Sequence, residues 1–244
     1  MVNTKYLQTC WGKMAYSDTG GTGIPLLFLH GTGCDSEDWQ TVIDILPSSH
    51  RCIILDFRGH GKSSTPTEPF TLTNLSNDVL KLTDYIEIDK FILVGHSLGG
   101  MVAMDAARCS SSIAGLVLLE GWTSLSSAGS AFDEGRFYGT LSQIEIKKIQ
   151  KKSSDTRNRF EQSVWRSFWS TVIEFDAYNF LERTPIPIYE VFGGMGRNET
   201  TETKLRIPSN QNIQIIWLQS AGHYLPHECP AAVAELCSNF SNTI

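Results

Sequence analysis

The sequence predicts an α/β protein with a mostly parallel eight-stranded sheet, helices on both faces, and a small helical cap inserted between strands 6 and 7. Three observations predict this class. Six apolar runs show no period of two, amphipathic segments separate most of them, and one long interval breaks the alternation. Apolar runs of this kind are typical of strands buried on both faces, as in a parallel sheet. Their alternation with helices indicates right-handed crossovers.

The predicted parallel strands are aliphatic or β-branched runs, most of them ending in Gly, His or Asp. They are the segments 25–31, 51–59, 90–97, 115–121, 186–194 and 213–223. Amphipathic helical patterns occupy 36–46, 71–87, 98–109 and 228–240. Residues 3–19 predict two further strands, which we expect to form an antiparallel hairpin at the edge of the sheet.

The interval 122–184 lies between consecutive strands and is helix-like, rich in aromatic residues, and basic in the stretch KKIQKKSSDTRNR. We interpret it as a cap over the carboxyl edge of a core formed by 1–121 and 185–244. A cap of this kind would roof a substrate pocket. The residues predicted to line that pocket are Gly31, His96, Trp122, Trp165 and Trp169. Alternatively, the cap aromatics serve only to pack the cap onto the core.

The composition and charge of the chain argue against a nucleic-acid-binding protein and against a membrane-spanning one. Hydrophobic residues make up 41% of the chain, charged residues 19%, and the net charge is −6. The lack of a long basic run argues against nucleic-acid binding. No apolar stretch reaches the roughly 18 residues of a membrane span. The N-terminus has no apolar signal segment, so we expect a cytoplasmic protein, either a monomer or a homodimer.

The spacing of the six cysteines fits neither a metal site nor a redox motif, so we expect reduced, mostly packed thiols. Cys34 is an exception, because it lies close in sequence to a motif described below. Modification of its thiol would block that motif. The chain has no P-loop, and the glycines of GGMGRN fit neither a phosphate cradle nor a dinucleotide fingerprint. We therefore expect no metal and no cofactor.

One motif carries a nucleophile. Gly95-His96-Ser97-Leu98-Gly99 follows the apolar run FILV and precedes a helical pattern. A serine on a tight strand-to-helix turn has a strained backbone, and glycines two residues before and after it relieve the crowding. Its hydroxyl would stand above the sheet at a helix N-terminus, where free N–H groups favour developing negative charge. The alternative is an ordinary glycine-rich turn.

Four motifs occur in the order found in the α/β-hydrolase superfamily, which the chain resembles over nearly its whole length. They are the oxyanion loop LLFLHGTG (26–33), LDFRGHGKS (55–63), the nucleophile elbow LVGHSLGG (93–100) and the histidine loop SAGHYLPHECP (220–230). The resemblance implies that Ser97 is the nucleophile and His223 the base. It also implies that the N–H groups of Thr32 and Leu98 form the oxyanion hole. Asp56 and Arg58 of the second motif are expected to form a structural pair.

The acid of the triad is the point where the chain departs from the family. In a G-x-x-D pattern after the strand that follows the cap, the aspartate position is Gly196. Our first choice is Glu120, which ends the run LVLLE, because adjacent parallel strands would place it beside the elbow. A carboxylate there also needs a partner, and an imidazole supplies one. Glu199 and Asp176 remain alternatives for the acid, and His227 is a weaker alternative for the base.

These residues predict hydrolysis of a small or medium carboxylic ester, thioester or lactone. A serine at the elbow argues against epoxide hydrolase and haloalkane dehalogenase activity, which the family performs with an aspartate. Two alternatives stay open: hydrolysis of a C–C bond in a diketone-like substrate, and a ligand-binding receptor that retains the triad without turnover.

Overall fold

The computed structural model describes residues 3–197 and 203–244. Within them, eight strands form a single sheet: β1 (Lys5–Thr9), β2 (Gly12–Asp18), β3 (Leu26–Leu29), β4 (Cys52–Leu55), β5 (Phe91–His96), β6 (Ile113–Leu119), β7 (Ile188–Gly193) and β8 (Ile213–Leu218). The strand order is β1-β2-β4-β3-β5-β6-β7-β8. The β1–β2 and β2–β4 pairs are antiparallel, and the remaining pairs are parallel. The predicted fold class and the N-terminal edge hairpin are confirmed.

Helices cover both faces of the sheet. Those outside the β6–β7 interval are α1 (Gln40–Ile45), preceded by a 3-10 turn at Ser36–Trp39, α2 (Leu72–Tyr85), α3 (Leu98–Ala107), and, near the C-terminus, α8 (Leu225–Glu228) and α9 (Pro230–Ser241). In β3, Leu27 and Leu29 pack with α2 and α3, whereas Leu26 and Phe28 pack with α1 and α9. Because both faces are covered, successive strand residues are all apolar, which explains the missing period of two.

Strand β8 departs from the prediction of strands buried on both faces. Its residues are half-buried or exposed, and Ile215 is 37% exposed. β8 pairs only with β7 and forms an edge of the sheet. At this margin the strand faces are less completely covered than in the centre of the sheet.

Between β6 and β7 the regular elements of the described residues are helical. They are a 3-10 segment at Leu125–Phe132, α4 (Glu134–Phe137), α5 (Gln143–Asn158), α6 (Gln162–Glu174) and α7 (Tyr178–Arg183). Helix α5 is tied to the loop after β3 because the Lys152 ammonium lies 2.9 Å from carboxylate oxygens of both Asp35 and Asp38. The division into a core and a cap at 122–184 stays a prediction.

The expected Asp56–Arg58 pair is not formed. Arg58 instead makes two 2.8 Å hydrogen bonds to Asp78 of α2. The Asp56 carboxylate accepts backbone N–H groups of Ser36 and Lys62 at 2.7 and 2.8 Å. Both side chains are buried and structural, but each stabilises a different neighbouring segment.

No helix within the described parts of the chain combines the length and the apolar character needed to cross a membrane.

Candidate active site

Ser97 occupies the turn between β5 and α3 in a conformation that L-residues rarely adopt, with φ 54° and ψ −117°. Glu120, the residue after the adjacent strand β6, also has a positive φ of 52°. Such backbone strain persists only where the surrounding structure enforces it, and it concentrates at functional sites. The two strained residues therefore lie at the carboxyl ends of neighbouring strands, since His96 pairs with Leu119.

The glycines around Ser97 are required by close backbone contacts. A Cβ atom on Gly95 would lie 2.4 Å from the carbonyl oxygen of Gly99. On Gly99 it would lie 2.2 Å from the carbonyl oxygen of Leu29. The G-x-S-x-G spacing is thus explained by packing of the turn against itself and against β3.

The loop after β3 lies beside this turn. The backbone N–H of Phe57 donates to His30 Nε2 at 3.0 Å, so Nδ1 carries the proton and donates to the Gly31 carbonyl at 2.8 Å. His30 is buried and braces the loop. Thr32 and Leu98 both border the same cavity as Ser97. Leu98 begins α3, where the first-turn N–H groups have no partner within the helix.

His223 lies in the loop between β8 and α8, and its ring stacks with two aromatic rings. The Trp122 centroid is 5.1 Å away and the Phe137 centroid 4.9 Å away, inclined by 20° and 12°. His96 Nε2 lies 2.9 Å from the carbonyl oxygen of His223 and donates to it. The Glu228 carboxylate accepts the N–H groups of Gly222 and Tyr224, which holds the loop on both sides of the ring.

The Glu120 carboxylate is completely buried and lies near His223. Its Oε1 accepts the Gly193 N–H at 2.8 Å, and Oε2 accepts the Trp122 indole N–H at 3.1 Å. Oε2 is 3.7 Å from His223 Nδ1, which is beyond hydrogen-bond length. In the described residues, His223 Nδ1 has no hydrogen-bond partner. Burial disfavours the charge of Glu120, but His223 and Arg197 outweigh burial and lower its pKa.

Arg197 is a site residue that sequence reasoning did not identify. It follows Gly196, the position that lacks the family's aspartate, and its guanidinium makes two hydrogen bonds to Glu120 at 2.8 and 3.0 Å. The only signal in the sequence was a cation in the loop where a carboxylate was sought. The structure therefore brings that loop to the Glu120 carboxylate after β6, where it supplies a positive charge and not a second carboxylate.

The alternative acid and base candidates lie elsewhere. Asp176 is 43% exposed and pairs with Arg206 at 2.8 Å on the surface. His227 Nε2 is engaged with Asp38 at 3.0 Å. Glu199 lies outside the described residues. Among the described candidates, Glu120 is thus the carboxylate that lies beside His223.

A cavity of about 440 Å³ opens between helices α5 and α6 and the carboxyl edge of the sheet. Ser97 and His223 border it, as do Gly31, His96, Trp122 and Trp169 among the predicted pocket residues. The prediction for Trp165 is corrected: its ring packs on Phe160, Phe168 and Trp169, outside the lining. The other aromatic residues of the lining are Phe132, Phe137, Tyr138 and Tyr224.

Cys34 also borders the cavity but is only 4% exposed. Burial raises the pKa of its thiol well above the ordinary value. Since the thiolate is the reactive species, Cys34 is poorly suited to alkylation at neutral pH.

This fold agrees with comparisons to known proteins. The sequence profile described as the alpha/beta hydrolase family matches residues 26–236, and the chain belongs to that family. It is 40% identical over 88 residues to the dihydrolipoyllysine-residue acetyltransferase component of an acetoin cleaving system from Pseudomonas putida. That alignment covers 36% of this chain and 24% of the relative, so the chain spans about a quarter of that protein's length.

Two solved structures share the fold over nearly the whole chain. A hydrolase from Pseudomonas aeruginosa has a TM-score of 0.79 at 24% identity, covering 98% of each chain. A thermophilic esterase from Thermogutta terrifontis has a TM-score of 0.78 at 21% identity, covering 99% of this chain and 98% of that one.

Proposed function

We propose that the protein is a serine hydrolase that cleaves a small or medium carboxylic ester, thioester or lactone through an acyl-enzyme on Ser97. One observation carries the proposal: a serine held at φ 54° on a strand-to-helix turn borders the same cavity as a buried histidine that has a carboxylate behind it. The family assignment and the esterase among the structural neighbours support the same reaction class.

In the proposed reaction, Ser97 Oγ attacks the carbonyl carbon while His223 accepts the hydroxyl proton. The ring returns that proton to the leaving alcohol, and the C–O bond to the alcohol breaks. Water then attacks the acyl-enzyme by the same proton route and releases the acid. Glu120 holds a negative charge 3.7 Å from Nδ1, where it stabilises the imidazolium formed in each transition state.

The oxyanion hole is assigned to the backbone N–H groups of Thr32 and Leu98. Negative charge develops on the carbonyl oxygen as the tetrahedral intermediate forms, and fixed donors stabilise it without reorganisation. The location of Leu98 at the first position of α3 adds the positive end of the helix dipole.

The cavity supports a substrate with an apolar acyl or alcohol group. Its volume of about 440 Å³ and its aromatic lining match a small-molecule site. A polar strip of α5, formed by Gln150, Ser153, Ser154 and Arg157, lies on another side of the same cavity. The cytoplasmic location, the oligomeric state and the cap division stay predictions.

A fluorophosphonate probe tests the nucleophile. We expect one label per chain, lost in Ser97→Ala and kept in Ser154→Ala, which removes another hydroxyl from the cavity lining. Turnover of short p-nitrophenyl esters should follow the same pattern. Labelling that survives Ser97→Ala would overturn the assignment, and stoichiometric acylation without turnover would point to a receptor.

A further inference from the structure

The Arg197 side chain is almost as completely buried as Glu120, to which it is hydrogen bonded. Its two nitrogens bond both carboxylate oxygens, and the two side chains are 4% and 0% exposed. The guanidinium also lies over the rings of Phe192 and Trp217, each centroid 5.9 Å away. A paired, stacked guanidinium of this kind has little freedom to leave the carboxylate.

We propose that Arg197 is a positioning residue that sets the basicity of His223 by offsetting the charge of Glu120. The inference rests on the proposed function, in which His223 is the general base. Arg197 does not touch the reacting atoms. It acts by fixing the Glu120 carboxylate and by reducing the negative charge that the ring experiences.

The physical reason lies in two opposing requirements. A buried carboxylate 3.7 Å from an imidazole favours protonation of the ring, and low dielectric strengthens that attraction. A base that is already protonated before the reaction cannot accept the serine proton. A guanidinium bonded to the same carboxylate weakens that attraction without abolishing it, so Glu120 still stabilises the imidazolium of the transition state.

Burial shifts the pKa of three other titratable groups around this pair toward the neutral form. Glu190 of β7 is completely buried; burial, reinforced by Glu120, raises its pKa well above the ordinary value. Burial, reinforced by His223, lowers the pKa of His96 well below its ordinary value, and burial raises the pKa of Tyr224.

Two further ionisable groups lie near the ring: Glu228, which accepts the N–H groups on both sides of His223, and Arg157, which borders the same cavity. Every variant below leaves these two residues unchanged, so they do not affect the comparison.

The experiment compares Arg197→Gln, Arg197→Lys and Glu190→Gln with the parent protein. Two readouts are used: the pH dependence of kcat/KM on a p-nitrophenyl ester, and the proton NMR titration of the His223 ring, identified by its loss in His223→Gln. For Arg197→Gln we expect the acidic limb and the NMR midpoint to rise by about one pH unit, the usual size of such a charge effect. Activity should then fall more at pH 6 than at pH 8, by up to about tenfold.

The other two variants serve as matched controls. Arg197→Lys keeps the positive charge, so its acidic limb and NMR midpoint should rise by less than half as much as in Arg197→Gln. Glu190→Gln replaces a neutral acid by a neutral amide near Glu120 and should leave both readouts unchanged. A folded Arg197→Gln whose midpoint stays fixed or falls would overturn the proposal.

Arg197→Gln leaves the buried Glu120 carboxylate without its cation, which could unfold the protein. A second variant that leaves no unpaired charge is therefore measured beside it. In Glu120→Gln/Arg197→Gln both charges leave together. The NMR midpoint of the double variant should lie at least about one unit below that of Arg197→Gln, because the carboxylate that favours protonation is gone; equal midpoints would show that the ring does not respond to the charge that Arg197 is proposed to offset. The NMR titration does not require hydrolysis. Failure of the parent to hydrolyse esters would therefore refute the proposed function and leave the Arg197 test intact.

Discussion

At the residue scale, the buried carboxyl groups near His223 differ in how completely they are hydrogen bonded. Glu120 accepts hydrogen bonds from Gly193, Trp122 and Arg197. Glu190, in the neighbouring strand β7, has neither carboxyl oxygen hydrogen bonded within the described structure. The pKa of Glu120 is therefore lowered and that of Glu190 raised, because one carboxyl group has donors around it and the other does not.

Glu120→Gln should lower kcat by about 10³-fold, because the neutral amide no longer stabilises the imidazolium. It should also lower the melting temperature, since Arg197 is left buried without its carboxylate. Both effects are measured with one p-nitrophenyl ester and thermal melts. Asp176→Asn, which removes an exposed carboxylate, is the control. A folded Glu120→Gln variant that keeps more than about a tenth of kcat would show that Glu120 is not the acid.

Glu190→Gln should raise stability at alkaline pH. The folded-state pKa of Glu190 is raised, so its favourable contribution is complete below the ordinary value of 4.5 and is lost as pH rises toward the folded value. Glutamine mimics the protonated acid at every pH. We therefore expect a melting temperature at least about 2 °C above the parent at pH 8, with the difference shrinking toward pH 5.

The control for this measurement is Glu174→Gln, since Glu174 is exposed at the end of α6. Its melting temperature should follow the parent across the range. Equal melting curves of Glu190→Gln and the parent at pH 8 would mean that Glu190 ionises in the folded protein without cost.

At the element scale, α5 is bound to the loop after β3, which carries Thr32. Lys152 of this helix lies 2.9 Å from both Asp35 and Asp38, and Asp38 also binds His227. Burial opposes ionisation of Asp38, but the His227 hydrogen bond and the Lys152 charge outweigh it and lower its pKa. Lys152 and Asp38 thus link α5, the loop after β3 and α8.

Lys152→Met should destabilise the protein by about 1–2 kcal/mol, less than a fully buried pair because Lys152 is 29% exposed. Asp38 contributes stability above its ordinary pKa of 3.8 and loses it as pH falls through the lowered value. The loss of melting temperature, about 3–6 °C at pH 7, should therefore shrink below about pH 4. Differential scanning calorimetry across pH measures it.

Lys151→Met provides a matched control one residue away. Its side chain is 76% exposed, and its ammonium pairs only with Asp155 on the same helix in the described structure. Such pairs contribute little, so its melting temperature should stay within about 1 °C of the parent. Equal losses for the two lysine variants would contradict the assigned anchoring role of Lys152.

At the scale of the whole molecule, the cavity exists because the interval 122–184 folds back over the carboxyl edge of the sheet. Its walls come from both parts: the turns after β3 and β5 on one side, and α5 and α6 on the other. Trp122, at the start of the interval, stacks on His223 and donates a hydrogen bond to Glu120. It therefore contacts the proposed catalytic residues as well as lining the cavity.

Trp169→Ala should alter the acyl-length preference, because Trp169 borders the cavity without contacting Glu120 or His223. Loss of an indole side chain from the cavity lining should change the ratio of kcat/KM between short and long p-nitrophenyl esters by about 10- to 100-fold. Trp165→Ala, one turn earlier on α6 and outside the lining, should leave the ratio near that of the parent. Unchanged relative specificity in Trp169→Ala would remove Trp169 from the acyl site.

Much of this protein was predictable from local pattern alone. The strands and helices follow from apolar runs and amphipathic periods, and the position of Ser97 follows from the spacing of Gly95 and Gly99. The choice of Glu120 over Glu199 and Asp176 rested on two rules: adjacent parallel strands end at the same edge, and a buried carboxylate needs a partner. The pairing of β5 with β6 satisfies the first rule.

Only the tertiary structure decided which charges meet. Arg197 and Glu120 lie far apart in sequence, and no local pattern links them, yet both reach the carboxyl edge of the sheet and pair at 2.8 Å. The choice of Trp169 over Trp165 for the cavity wall likewise depends on how α6 packs, since both tryptophans have the same chemistry. Secondary structure follows from interactions between near neighbours in sequence. Burial, ion pairing and side-chain contact across the fold depend on the three-dimensional approach of distant segments, and these set the chemistry of the site.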